Sequence, residues 1–208
     1  MKTALVVLAL VAVGYAAPQP RKLFHEHLED FLDVVREEAG AELEHIFEHY
    51  LEFEEFVATL DYLATADYKE LIYEMESLPE FKAVVDFLEK DNIDIMFFVD
   101  LVNEMLEQQF PPSARKVRHE LSGTDYSAFI NDIIDAFPKE KLAALYEEKI
   151  AEYDDFRVAL ENLESQEWQD TWNALWNSEV FQKEIQTLES HGIYFNSLIK
   201  ELRALFGQ

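Results

Sequence analysis

Apolar residues recur along this chain at helical spacing. Phe24, Leu28, Phe31, Leu32 and Val35 fall at i, i+4, i+7, i+8 and i+11, one stripe of a 3.6-residue helix. Leu43, Ile46, Phe47, Tyr50 and Leu51 form a second stripe, Phe56, Leu60 and Leu63 a third, and Tyr68, Leu71, Ile72 and Met75 a fourth. Phe81, Val84, Val85 and Leu88 follow, then Ile95, Phe98, Val99, Val102, Met105 and Leu106. No stretch alternates convincingly enough to predict a strand. Gly40, Gly123, Gly192 and Gly207 fall between stripes or at the end. Ser77-Leu78-Pro79-Glu80 has the spacing of a capping box, with proline in the first turn, where its missing N–H is no loss. Pro138 is placed to open another helix.

The stripes repeat at a spacing of 100 residues. Phe56 recurs as Phe156, Leu60 as Leu160, Leu63 as Leu163, Phe81 as Phe181, Leu88 as Leu188 and Ile93 as Ile193. Tyr68 becomes Trp168, Ile72 becomes Trp172, Met75 becomes Leu175 and Val85 becomes Ile185. Upstream the match continues with a one-residue slip, pairing Phe31 with Ile130, Val34 with Ile133, Leu43 with Leu142 and Phe47 with Tyr146. Asn92 and Gly192 stand at equivalent places after Leu88 and Leu188, and both residue types tolerate the left-handed backbone that ends helices. Repeat one spans about 24–108, a connector about 109–125, and repeat two about 126–207. The expected fold is all-α: two tandem repeats of five to six short helices each, facing one another in a single domain over 17–208. Apolar faces are what the repeat retains, since no acid, base or nucleophile constellation recurs with it. That favours binding over catalysis.

The first residues change the picture. Lys2, the apolar run Leu5 to Val13 and the small residues up to Ala16 and Ala17 describe a secretory signal peptide. Cleavage after Ala16 removes residues 1–16 and makes the product secreted. The run is too short to span a bilayer, which needs about 20 apolar residues. The formal charge is −26, and losing Lys2 takes it to −27. Such a balance repels nucleic acid and anionic membrane surfaces. There is no cysteine, so an extracellular product would rest on packing alone.

Candidate chemistry is sparse. His45 and His49 lie at i, i+4 among Glu42, Glu48 and Glu52, a spacing that can present two imidazoles to a metal. Their repeat partners are Ala144 and Glu148, and the stronger expectation is a solvated polar face with no metal. His25 and His27 diverge on a helix and carry little weight. No nucleophile elbow, phosphate loop or kinase signature appears, so no catalytic residue is assigned and an enzyme is not expected. Trp168, Trp172 and Trp176 form an i, i+4, i+8 column. Core packing accounts for it first, but three indoles on one short helix also suit the wall of a cavity for an apolar ligand. Trp176 stands opposite Glu76 and is expected to be partly exposed. Arg115, Lys116 and Arg118 mark the connector as protease-sensitive.

Longer segments carry a family resemblance. Ser77-Leu78-Pro79-Glu80-Phe81, Phe87-Leu88-Glu89, Ser113-Ala114-Arg115-Lys116, Lys141-Leu142-Ala143-Ala144-Leu145-Tyr146-Glu147-Glu148-Lys149 and Leu198-Ile199-Lys200-Glu201-Leu202-Arg203-Ala204-Leu205-Phe206-Gly207 together resemble the insect-allergen-related repeat family. That family includes the cockroach group-one allergen and insect midgut microvillar proteins. The resemblance implies a helical capsule around an apolar cavity holding fatty acids or phospholipids without tight selectivity. It implies secretion into the gut lumen or onto the microvillar surface, a link to digestion or nutrient handling, and no cofactor beyond the bound lipid. Nitrile-specifier proteins, a detoxifying branch, typically carry three such domains where this chain has one; a microvillar membrane-associated structural protein is the other alternative. The cavity-lining candidates are Leu60, Leu63, Tyr68, Ile72, Met75 and Val85 from repeat one, with Leu160, Leu163, Trp168, Trp172, Leu175 and Ile185 from repeat two.

Overall fold

A computed structural model describes residues 22–107 and 123–206. The signal-peptide reading and the basic connector, with Arg115, Lys116 and Arg118, lie outside the described residues. Eleven helices and no strand occur among the described residues. The first half holds α1 (Phe24–Tyr50), α2 (Glu54–Leu63), α3 (Ala66–Ser77), α4 (Pro79–Lys90) and α5 (Ile95–Glu107). The second holds α6 (Tyr126–Ala136), α7 (Lys139–Glu152), α8 (Asp154–Asn162), α9 (Gln166–Trp176), α10 (Glu179–Ser190) and α11 (Phe195–Leu205).

The first two stripes lie on one helix of 27 residues rather than two. Gly40 therefore sits inside α1 and does not separate elements. Glycine is unfavourable there by about 1 kcal/mol relative to alanine, too little to break a helix whose apolar face is buried. The second half has two helices over the equivalent stretch. Pro138 stands where the slipped register puts Ala39. It lacks the N–H a continuing helix needs and drives Phe137 into extended backbone (ψ 141°). Proline thus opens α7 as the sequence suggests, and it also splits one long helix into two.

The capping box at Ser77 does not form. Ser77 is the last residue of α3, and its hydroxyl donates back to the Glu74 carbonyl at 2.7 Å. Leu78 alone joins α3 to α4, leaving no spare residue to serve as a side-chain cap, while Pro79 occupies the first turn as expected. Caps occur instead at the equivalent residues Thr65 and Ser165. Their hydroxyls accept from the N–H groups of Tyr68 (3.2 Å) and Trp168 (3.1 Å).

Asn92 (φ 63°) and Gly192 (φ 84°) both take the left-handed conformation. After each, the next N–H closes on Leu88 or Leu188, at 2.9 and 3.0 Å. This Schellman closure ends α4 and α10 alike.

The halves interlock. α4 packs on α9, and its repeat equivalent α10 packs on α3. α1 lies against α6 and α7, α11 covers α6 and α7, and α5 returns to α1. Phe31, Tyr50, Phe56, Ile130, Leu142 and Phe156 are sealed in one core. Between halves, the Thr59 hydroxyl donates to the His191 carbonyl at 2.8 Å, and the Tyr62 ring stacks on His191 at 3.6 Å. No helix among the described residues is long and apolar enough to cross a membrane.

Candidate functional site

The helices that interlock also carry the candidate lining residues. Leu60 and Leu63 come from α2 and its end, Tyr68, Ile72 and Met75 from α3, and Val85 from α4. Leu160 is on α8, Leu163 caps it, Trp168, Trp172 and Leu175 are on α9, and Ile185 is on α10. The twelve divide by burial. Met75, Leu175 and Ile185 are packed core residues, at 9, 2 and 4 % exposure. Val85 is half-buried. Leu60, Leu63, Tyr68, Ile72, Leu160, Leu163, Trp168 and Trp172 lie against that core yet keep accessible surface.

The tryptophan column is a continuous aromatic face. Trp168 and Trp172 stack at 5.8 Å, and Trp172 and Trp176 at 6.1 Å. Trp176, half-buried as its departure from the repeat suggested, packs on Phe195 of α11 at 5.4 Å and on Phe181 at 6.1 Å. Phe195 also meets Trp172 at 5.9 Å, and Phe87 of α4 meets Trp168 at 5.4 Å. Phe195 and Phe87 belong with the candidates and the sequence reading left both out; Trp176 was read as part of the column but not among the lining residues. The signal for Trp176 was the i+4 spacing itself. Phe195 and Phe87 gave none, because only the fold brings their helices to α9.

On the helices around this face, burial shifts several polar groups. Burial pushes the Tyr68 phenol up to about 12 and the Glu201 carboxyl on α11 up to about 7. Tyr126, at the start of α6, is also raised by burial, with the Glu201 charge and Tyr68 adding to it. Glu201 has Leu101 as its repeat equivalent, so a carboxylate at this place was not visible as a retained position. Among the described residues no group of three or more metal-ligand side chains converges. The His45–His49 pair is divided: His45 is exposed, while His49 is buried 5.9 Å from the Phe53 ring. The expectation of one solvated face is therefore corrected for His49.

The insect allergen related repeat family, described as carrying nitrile-specifier detoxification, matches residues 23–199. The chain belongs to this family. The match spans both halves, from the residue before α1 into α11. A search of curated proteins found none that matches the chain.

Proposed function

We propose that this insect allergen related repeat protein is a secreted lipid carrier. In this reading it holds fatty acids or phospholipids, with little selectivity, in an apolar space between its two halves. The observation that supports this most is the graded burial of the α2–α3 and α8–α9 faces. Leu60, Leu63, Ile72, Trp168 and Trp172 border a sealed core but keep accessible surface. Closing such a face on itself would fill the space, whereas an acyl chain gains about 0.8 kcal/mol for each CH₂ it buries there. Ordering a long chain without a dedicated polar site follows from that sum, and it fits a protein whose repeat retains apolar positions.

The basic-apolar-small order of the first residues supports export, and family membership supports a role in handling dietary lipid at the gut surface. Native mass spectrometry of the purified protein, paired with solvent extraction, tests the reading. Masses of bound acyl lipids that vanish on extraction and return on adding oleate are expected. A protein that carries no lipid and takes up none sinks it. Co-sedimentation with zwitterionic vesicles separates a carrier, which stays in the supernatant, from a membrane-associated structural protein.

A further inference from the structure

The last helix of each half is held differently. α11 packs on α6 and α7 and buries Ala204 and Leu205. It is stitched to α6 by Ser197–Ser127 at 3.3 Å and by Lys200 donating to Asn131 at 2.5 Å. Its repeat equivalent α5 packs on α4 and α1. Seven of the first ten residues of α5 are apolar, yet none of those ten side chains is buried. Every other helix among the described residues buries at least one. On α5, Met96 and Val102 are 41 and 39 % exposed. A helix draws most of its stability from sealing an apolar face, so α5 belongs among the segments that open most easily.

Its start is nevertheless anchored. Ile93, just before the helix, is buried. The His25 N–H at the head of α1 donates to the Asp94 carboxylate at 3.0 Å, and the His25 ring pairs with the same carboxylate. That ring stacks on Phe97 at 4.0 Å. Glu89, in the last turn of α4, accepts from the Met96 N–H at 2.8 Å. All of these contacts fall at the first turn of α5.

Farther along, about 12 Å from Ile95 at 1.5 Å per residue, α5 meets α3 through a polar contact. Asn103 Nδ2 donates to the Glu76 carboxylate at 3.2 Å. A carboxylate only accepts, so the amide cannot turn round, and its Oδ1 is left buried with no partner among the described residues. An unpaired buried acceptor costs free energy, and release of Asn103 to water relieves that cost. The second half closes the same place with rings. Trp176 stands for Glu76 and Phe195 for Ile95, and the two pack at 5.4 Å. One half is thus sealed by aromatic packing, and the other rests on a hydrogen bond that carries its own penalty.

We propose that α5 is the gate of the lipid site, pivoting on its anchored first turn and held shut by the Asn103–Glu76 contact, while α11 stays fixed. This rests on the lipid-carrier reading, since a gate needs a cargo. Ile72, one of the candidate lining residues, lies one turn before Glu76 on the same side of α3. Lifting Asn103 off Glu76 therefore opens a way to that face, and an acyl chain that enters covers apolar surface which α5 leaves unburied.

Hydrogen–deuterium exchange of the lipid-free protein reads the gate without any cargo. Amides of α5 beyond its first turn should exchange at least about tenfold faster than those of α11. Stopped-flow uptake of cis-parinaric acid, whose emission rises in apolar surroundings, reads passage. Asn103→Asp sets two carboxylates against each other and should speed uptake about tenfold. Adding Glu76→Gln to that variant restores a donor and an acceptor with their roles reversed, and should bring the rate back towards the parent's; a fold damaged at Asn103 would not be rescued. Glu76→Trp, the residue of the other half, should slow uptake. Equal exchange in α5 and α11, or uptake by Asn103→Asp at the parent's rate, overturns the gate and leaves the carrier reading standing. A parent protein and variants that never take up parinaric acid sink the carrier reading, and the gate with it.

Discussion

Gly40 lies within α1, and a Cβ at that position would meet only the Arg36 Cγ, at 3.8 Å. Gly40→Ala should therefore stabilise the protein by about 0.5–1 kcal/mol, chiefly by restricting the unfolded chain. Gly192 is the opposite case. Its φ is 84°, and a Cβ there would lie 3.0 Å from the Thr59 hydroxyl. That hydroxyl already donates to the His191 carbonyl at 2.8 Å, so it cannot move without breaking a contact between the halves. Gly192→Ala should cost about 1–3 kcal/mol. Thermal unfolding of the two variants side by side checks both signs: the midpoint should rise for Gly40→Ala and fall for Gly192→Ala. Equal shifts in one direction would show that the backbone at Gly192 is not under the constraint argued here.

Helices were legible because each buries a single face, and a single buried face writes a 3.6-residue period into the sequence. Their ends were less so. Gly40 looked like a boundary because glycine usually is one, yet burial of the Phe31, Leu32, Val35 and Leu43 face carries α1 through it. Pro138 was read correctly as a helix start, but its effect on the equivalent of α1 needed the repeat register. The cluster of Lys149, His27 and Asp30 was not legible at all, since Lys149 and His27 are 122 residues apart and only the fold brings them together. Aromatic spacing was the clearest pointer to the candidate site, because α9 carries all three tryptophans of the chain. Intrinsic tryptophan emission consequently reports on α9 alone. If acyl chains lie against it, a brominated fatty acid should quench most of that emission, and the unbrominated acid should shift it to shorter wavelength. Unchanged emission at saturating brominated acid would place any bound lipid elsewhere.

Across the whole molecule two buried groups oppose each other in acid. His27 is lowered from 6.5 to about 4 by burial and by the charges of Lys149 and Lys22. The unfolded chain takes up this proton near pH 6.5 and the folded one does not, so stability falls as pH drops from about 6.5 to 4. Glu201 is raised from 4.5 to about 7 by burial. Its folded form binds a proton that the unfolded chain has released, so its contribution is present below pH 4.5 and is lost as pH rises through 7. The two slopes have opposite sign over nearly the same window, each on the order of 3 kcal/mol at most from a shift of about 2.5 units. The contributions of these two groups therefore largely offset one another between pH 4.5 and 6.5, and single changes should expose the hidden slopes. Glu201→Gln removes the buried charge and should be the more stable protein at pH 8, with that advantage gone below pH 4.5. His27→Gln keeps an acceptor for Lys149 but does not titrate, so its stability relative to the parent should improve progressively as pH falls from 6.5 to 4. Urea unfolding at pH 4.5, 6 and 8 measures both differences. Variants whose offsets from the parent stay constant across that range would show that neither group exchanges a proton on unfolding in the manner its burial requires.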